Sequence, residues 1–144
     1  MVVVKILNIS KFENPVYATK HSSGVDIQAN IDKPLVLKPL ERALIPTGIF
    51  LEIPIGIEAQ IRPRSGMALK KGLSILNTPG TIDSDYRGEV GIIVVNLSNS
   101  EITIEPGDRV CQMVFTQYEK VSFKNVNEIA NTMRGSGGFG STGI

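Results

Sequence analysis

The tripeptide Arg64-Ser65-Gly66, directly after a predicted strand, combines residue types that bind anions. Arg64 offers a planar set of N–H donors, Ser65 offers a hydroxyl, and Gly66 lets a backbone N–H approach an anion closely. Together they predict a phosphate-binding turn. The alternative is a strand-to-helix turn in which Ser65 only caps a short helix and Arg64 forms a salt bridge.

The segment from Asn77 to Gly88 lies between two predicted strands and is rich in polar groups. Asp85 begins the sequence Asp-Tyr-Arg-Gly, which fits a type I turn with Asp first and Gly fourth. We therefore expect a structural role for Asp85. Asp83 is then free to act as a general base toward water, and Tyr86 offers a flat surface for a sugar or a base.

Two polar side chains interrupt otherwise apolar strand patterns. Asp26 follows Ser23-Gly24-Val25 and is either a satisfied strand residue or an acid directed at a metal or a cationic neighbour. Gln112 alternates with apolar residues after the Gly107-Asp108 turn. A buried glutamine needs partners at both ends of its amide, which a ligand or the backbone can supply equally well.

The C-terminal segment RGSGGFGSTGI places several phosphate-binding residue types among five glycines. Residues 135–140 fit G-x-G-x-x-G, but a dinucleotide-binding fold needs a helix and a strand after its glycines, and only four residues follow. Arg134, Ser141 and Thr142 could instead contact phosphates, with Phe139 as an apolar cover. We expect a tail that is mobile alone and ordered by a ligand. The alternative is a frayed terminus.

The chain has one cysteine and one histidine, which excludes an internal disulfide and a His/Cys/Cys zinc site. Cys111 lies in an apolar run, so we expect a small buried thiol. His21 precedes Ser22 and Ser23, but adjacency in sequence is poor support for a nucleophilic pair.

Short segments rich in Val and Ile recur between Pro, Gly, Asn and Asp residues, which predicts many strands and little helix. The strand candidates are 2–9, 25–29, 35–37, 43–53, 57–62, 73–76, 88–97, 101–104 and 110–118. Helical turns are expected only over 67–71 and 126–133. The pattern favours an all-β sandwich or barrel over residues 1–118, followed by a C-terminal arm over 119–144 that carries the Gly-rich segment.

The 144 residues include 15 Lys and Arg and 14 Asp and Glu, for a net charge of +1. This balance gives no bulk attraction to nucleic acid or to an anionic membrane, so neither is expected as a partner. The N-terminal apolar run is broken by Lys5, too early for a signal peptide, and no apolar stretch reaches the roughly 20 residues that cross a bilayer. We expect a cytoplasmic, or at least intracellular, protein.

Taken in order, five stretches resemble the five motifs of the trimeric dUTP diphosphatases (dUTPases). They are residues 23–27, 63–68, 80–89, 107–112 and 134–143, which together span nearly the whole chain. Ser23, Val25 and Cys111 depart from the usual residues of this family without removing a functional group. The resemblance implies a jelly-roll subunit in a homotrimer, with three active sites built between subunits.

The resemblance further implies Mg²⁺-dependent hydrolysis of dUTP to dUMP and pyrophosphate, which keeps uracil out of DNA and supplies dUMP for thymidylate synthesis. Asp83 would be the base that activates the water, and Asp26 would reach the magnesium ion through water. The residues expected to contact the substrate fall into four groups: Asn77, Gly80, Thr81 and Ile82 at the uracil, Tyr86 at the deoxyribose, Arg64, Ser65, Gly66 and Gln112 at the phosphates, and Arg134, Phe139, Gly140, Ser141 and Thr142 as a closing strap.

Two alternatives are disfavoured by the same residues. The dCTP deaminases and the bifunctional deaminase-diphosphatases share the implied fold, but they typically carry a second serine in place of Gly66 and a catalytic glutamate nearby. A binding module without turnover would have no need for the full set of catalytic side chains that this chain retains.

Overall fold

Two four-stranded antiparallel sheets make up most of the computed structural model, which describes residues 2–140. The strands are β1 (Lys5–Asn8), β2 (Gly24–Gln28), β3 (Leu35–Leu37), β4 (Arg42–Glu52), β5 (Ile57–Pro63), β6 (Leu73–Ile75), β7 (Gly80–Ile82), β8 (Glu89–Asn96), β9 (Ile102–Ile104) and β10 (Arg109–Gln117). The first sheet has the strand order β1-β4-β8-β6, the second β2-β10-β5-β7, and β3 pairs with β9 in a separate ribbon. The all-β prediction is confirmed.

The apolar core lies between the two sheets and is built from alternate residues of their strands. In β5, Ala59 and Ile61 are buried while Glu58 and Gln60 are only half-buried, as the alternating sequence predicts. The end of β8 is covered on both faces, since the neighbouring Val94 and Val95 are both buried. Ile27 from β2 and Ile45 from β4 show that both sheets contribute to one core.

Among the residues that the structure describes, Asn96 is the only fully buried polar residue near the end of β8. Its amide nitrogen donates to the carbonyls of Leu37 (2.9 Å) and Ser100 (2.8 Å). Its amide oxygen accepts from the backbone N–H of Ser98 (2.9 Å) and from the Ser98 hydroxyl (2.8 Å). Because every polar atom of this amide is satisfied, Asn96 holds two loops together at little desolvation cost.

Of the two predicted helical segments, one is a helix in the structure and the other is not. A single helix within residues 2–140, α1 (Ser65–Lys71), begins two residues before the predicted 67–71 and ends at Gly72, whose left-handed backbone closes it. The predicted helix over 126–133 is wrong, because those residues form no helix. Their side chains are exposed, and so short a segment gains too little from its own hydrogen bonds to be helical without packing.

All nine predicted strand segments contain strands, and β7 was the one that the sequence did not predict. Its Gly-Thr-Ile sequence is short and lies within a polar stretch that, between two predicted strands, is typical of a loop or a hairpin. None of the helices over residues 2–140 is long and apolar enough to cross a membrane.

The outward face of the first sheet is unusually apolar for a surface. Leu44 of β4 lies opposite Ile93 of β8, and the backbone N–H of Leu76 donates to the Ile93 carbonyl, so the three residues are neighbours across the sheet. Leu44 is 67% exposed and Leu76 is 49% exposed in the single chain. Contiguous apolar side chains on one face of a sheet are typical of a surface that another protein covers.

Candidate active site

One candidate site is a cavity of about 230 Å³ beside β7, the edge strand of the second sheet. The structure brings together here the predicted uracil, sugar and base residues, namely Asn77, Gly80, Thr81, Ile82, Asp83 and Tyr86. The opposite wall is formed by residues of β8 that face outward from the first sheet, including Gly91 and Ile93.

Gly80 allows the amide of Asn77 to lie against the strand. Gly80 pairs with Ile61 of β5, and a Cβ at Gly80 would lie 3.2 Å from Ile61 Cβ and 3.3 Å from Asn77 Nδ2. Any larger residue would therefore push the amide away. Because β7 is the edge strand of the second sheet, the backbone N–H and C=O groups on its outer edge have no partner strand among the described residues, and all three β7 residues line the cavity.

Asp83 stands at the first position of a tight turn after β7. The N–H of Tyr86 donates to the Asp83 carbonyl at 3.2 Å, so the turn runs from Asp83 to Tyr86. The expected turn from Asp85 to Gly88 is wrong in its register, because β7 ends at Ile82 and the chain reverses directly after it. Within residues 2–140 the Asp83 carboxylate, which is exposed, accepts no hydrogen bond from the protein. Its lone pairs are thus available to water.

Tyr86 is fixed by its hydroxyl and by a glycine. The hydroxyl donates to the carbonyl of Glu89 at 2.9 Å, so the ring folds back over the turn. A Cβ built at Gly88 would overlap the Tyr86 ring and hydroxyl. Gly88 is therefore required for this position of the ring, and neither Gly88 nor Glu89 was identified as a functional residue from the sequence.

A second group of polar residues surrounds Asp26, in the middle of β2. The Nε of Arg64 lies 3.0 Å from Asp26 Oδ1, and Nη1 of Arg109 lies 3.1 Å from Asp26 Oδ2. Arg64 also donates to the carbonyl of Arg109 at 3.0 Å. The carboxylate thus holds two guanidinium groups, one at the start of α1 and one at the start of β10. Of the two interpretations of Asp26, the one with a cationic neighbour is therefore correct.

Ser65 is the first residue of α1 and does not cap it. Arg64 occupies the N-cap position in extended conformation, and no side chain bonds to the first turn. The capping alternative for Ser65 is therefore wrong, whereas the salt bridge expected for Arg64 in that alternative is present. Gly66 follows, and apart from its chain neighbours and the backbone of α1 no atom lies within 4 Å of where a Cβ would stand, so its surroundings are open.

Gln112 lies beside Asp26, because the two residues are direct partners across β10 and β2. Its Nε2 donates to the carbonyl of Pro63 at 3.1 Å, which satisfies one end of the amide through the backbone. Gly24 makes room for the other end, since a Cβ there would lie 2.9 Å from Gln112 Oε1. Gln112, Asp26 and Arg109 line an open cavity of about 710 Å³.

The buried thiol of Cys111 lies behind this group. Burial, together with the negative charge of Asp26, raises the pKa of Cys111 to about 12 against the opposing effect of Arg64. The thiol is therefore protonated at neutral pH, and the expectation of a small buried cysteine is confirmed. The hydroxyl of Ser22 hydrogen-bonds with Thr19 at 2.8 Å rather than with His21, which argues against a nucleophilic pair of His21 with Ser22.

The described part of the C-terminal arm, residues 119–140, contributes no lining residue to either cavity. Nε of Arg134 donates to the Gly137 carbonyl at 2.8 Å, and the side chain of Phe139 is fully exposed. Arg134, Phe139 and Gly140 line neither cavity. Ser141 and Thr142 lie outside the described residues. The contacts expected of the strap residues stay predictions.

Among residues 2–140, the two cavities have no lining residue in common. The cavity at β7 has the shape and polar edge suited to a base and a sugar, whereas the group around Asp26 has the cationic character suited to phosphates. Fold and site together therefore define a two-sheet β protein with two separate polar cavities, one beside an edge strand and one beside a group of cationic side chains.

Comparisons with known proteins agree with this class. A family model described as dUTPase matches residues 10–143. The chain is 55% identical to the deoxyuridine 5'-triphosphate nucleotidohydrolase of Finegoldia magna over 140 residues, covering 97% of this chain and 98% of the relative. It is 52% identical over 142 residues to the protein of that name from Fusobacterium nucleatum, covering 99% and 97%.

Solved structures show the same fold. The dUTPase of Staphylococcus bacteriophage 80alpha with dUPNHPP superposes with a TM-score of 0.88 at 27% identity, over 99% of both chains. The chain belongs to the dUTPase family, and it is a hydrolase of nucleotide metabolism.

Proposed function

We propose that this chain hydrolyses dUTP to dUMP and pyrophosphate in a site completed by neighbouring subunits. The observation that carries the proposal is the cavity beside β7, where a free strand edge, the Asn77 amide, the Tyr86 ring and the unpaired Asp83 carboxylate converge. In the cell, this reaction would keep uracil out of DNA and supply dUMP for thymidylate synthesis.

Uracil selection follows from the strand edge. The backbone groups of Gly80, Thr81 and Ile82 and the amide of Asn77 supply donors and acceptors for the oxygens and the N3–H of uracil. Cytosine has the opposite pattern of hydrogen-bond donor and acceptor at N3 and at its exocyclic position, so the protein groups that match uracil would be left unpaired. The narrow cavity of about 230 Å³ also leaves little room for the 5-methyl group of thymine.

Sugar selection depends on Tyr86. The ring would lie against the deoxyribose, where a 2'-hydroxyl would clash with it or lose its water. The hydrogen bond to Glu89 and the absence of a side chain at Gly88 hold the ring in one position, which such discrimination requires.

Hydrolysis needs one water molecule and one base. Asp83 accepts a proton from the water, whose oxygen attacks the α-phosphorus in line with the bridging oxygen to the β-phosphate. The bond from the α-phosphorus to that bridging oxygen breaks, and pyrophosphate leaves with the electron pair. The exposed carboxylate of Asp83, without a protein partner in residues 2–140, is suited to this role.

The phosphates would be held by Arg64, Ser65, Gly66 and Gln112. The first N–H groups of a helix lack intrahelical partners, and α1 starts at Ser65 with no side-chain cap and no acidic residue in its first turn. Arg64 supplies charge, and the free Oε1 end of Gln112 can orient a metal-bound water or a protonated phosphate oxygen. This set stabilises negative charge without covalent chemistry.

Magnesium is the cofactor that we propose, and the residues fit it only in an indirect role. No group of three His, Cys, Asp or Glu side chains suited to a metal occurs within the described part of the chain. Each oxygen of Asp26 accepts one guanidinium N–H, which leaves lone pairs for a metal-bound water. Mg²⁺ would neutralise charge on the triphosphate, and it commonly keeps several waters while phosphates supply other ligands.

The homotrimer is also part of the proposal. The apolar outward face around Leu44, Ile93 and Leu76 needs a covering partner, and two cavities without a common residue make a complete site only when subunits meet. The arm would then bring Arg134, Phe139, Gly140, Ser141 and Thr142 over a bound nucleotide. We place the enzyme inside the cell, where dUTP is formed.

A pyrophosphate-release assay over the common nucleoside triphosphates, with and without Mg²⁺, tests the function. We expect release from dUTP with Mg²⁺ and much less from dTTP, dCTP and UTP. Ammonia release from dCTP would instead indicate a deaminase, and binding without any release would indicate a module without turnover. Either result would remove the proposed reaction.

A further inference from the structure

Glu89, the first residue of β8, ties its strand to an irregular part of β4. The Oε1 of Glu89 accepts from the backbone N–H of Thr47 at 3.0 Å and of Gly48 at 2.7 Å. The pairing of β4 with β8 shifts register between Pro46 and Phe50, so these two N–H groups lack the usual strand acceptor. The Glu89 carboxylate supplies this missing acceptor and thereby fixes the backbone of residue 89 to β4.

The backbone of residue 89 in turn fixes Tyr86. The Tyr86 hydroxyl donates to the carbonyl of Glu89 at 2.9 Å, and Gly88 between them leaves the ring no competing side chain. A displacement of residue 89 would therefore displace the hydroxyl and tilt the ring. Glu89 also lines the cavity beside β7, so the same displacement would change the shape of that cavity.

We propose that Glu89 is a positioning residue: its carboxylate, through Thr47 and Gly48, sets the place of the Tyr86 ring and thereby the discrimination between deoxyribose and ribose. The proposal rests on the proposed function for its effect on catalysis. The physical link from Glu89 to Tyr86 stands on the hydrogen bonds alone.

The kinetic test compares three substitutions of Glu89. Glu89→Ala removes the acceptor, Glu89→Asp retracts the carboxylate by one methylene, and Glu89→Gln keeps an oxygen at the same reach. We expect the ratio of kcat/KM for dUTP to that for UTP to fall about tenfold in the Ala and Asp variants, mainly because KM for UTP falls when the ring no longer excludes a 2'-hydroxyl. Glu89→Gln should restore the ratio to within about threefold of wild type. A wild-type ratio in folded Ala or Asp variants would overturn the proposal.

A matched control separates positioning from general loss of stability. Asn96→Ala removes a buried amide at the opposite end of β8, where it binds the carbonyls of Leu37 and Ser100. We expect this variant to have a lower Tm than wild type. Below its unfolding transition, its ratio of kcat/KM for dUTP to kcat/KM for UTP should equal that of wild type. An equal fall of the ratio in Asn96→Ala would show that any weakening of β8 has the effect, and the specific role would be wrong.

A spectroscopic test does not depend on turnover. The chain has three tyrosines and no tryptophan, so the double substitution Tyr17→Phe and Tyr118→Phe leaves Tyr86 as the only tyrosine fluorophore. In this background Glu89→Ala should increase quenching of Tyr86 by acrylamide and lower its fluorescence anisotropy, while Glu89→Gln should not. Unchanged signals in the Ala variant would refute the link. An inactive wild type with changed signals would refute only the proposed function.

Discussion

Asp26 and Arg64 form a half-buried ion pair in which Nε of Arg64 lies 3.0 Å from Oδ1 of Asp26, with side-chain exposures of 29% and 26%. The second oxygen of the same carboxylate binds Arg109 at 3.1 Å. One carboxylate therefore orients two guanidinium groups, and the group keeps one net positive charge for an anionic ligand. A half-buried pair of this kind is less screened by solvent than a surface pair.

Replacing Asp26 with Asn should weaken the binding of a triphosphate even when magnesium is absent. The substitution leaves one acceptor oxygen for two guanidinium groups, so at least one arginine is released, and we expect the lost orientation to outweigh the added positive charge. The affinity for a non-hydrolysable dUTP analogue, measured by calorimetry with EDTA, should fall about tenfold. Asp32→Asn, which affects only an exposed pair with Lys11, should leave affinity unchanged. An effect of Asp26→Asn seen only with magnesium would assign Asp26 to the metal alone.

Replacing Asp83 with Asn should remove turnover and keep binding. The amide cannot accept the proton of the attacking water, so we expect kcat to fall by roughly 10²–10⁴ while the affinity for the analogue changes little. Asp85→Asn is the matched control, since Asp85 lies in the same turn and has no assigned part in the chemistry. Wild-type turnover in Asp83→Asn would contradict the assignment of the base.

Truncation after Thr132 should reduce turnover far more than stability. The hydrogen bonds of residues 132–137 in the arm are local, such as that between Arg134 and Gly137, so their removal costs the sheets nothing. We expect a kcat/KM loss of about 10²-fold or more with a nearly unchanged Tm. Phe139→Ala should show a smaller loss in the same direction. Full activity of the truncated chain would disprove the role as a closing strap.

Cys111 should make stability fall at high pH. The ordinary pKa of 9.0 applies to the unfolded chain, and burial raises the pKa of Cys111 to about 12 in the folded protein. Below the lower value the thiol is protonated in both states, and between the two values only the unfolded state ionises. The free energy of unfolding should therefore decrease by about 1.4 kcal/mol per pH unit in that window.

The control for this prediction is Cys111→Ala, which should abolish that slope in chemical denaturation at a series of pH values. A thiol reagent at about pH 8 should also leave the native protein unmodified and react on unfolding. Rapid reaction of the native thiol would show that Cys111 is accessible.

Much of the fold could be predicted because its determinants are local. Alternation in residues 57–62 and the apolar end of β8 follow the two-residue period of strands, and both were confirmed by burial. β7 could not be predicted, because a Gly-Thr-Ile strand becomes a strand only through its pairing with β5. The helix over 126–133 failed for the related reason that no surface packs against it within the described chain.

The sequence by itself determined which residue types the site contains and to which family its motifs belong. Only the tertiary structure decided that Asp26 joins Arg64, 38 residues away, and Arg109, 83 residues away, and that Glu89 connects Thr47 to Tyr86. The reason is that the motif residues are contiguous in the chain, whereas these contacts depend on strand register across two sheets. Register is set by the packing of all the strands together, which no single motif contains.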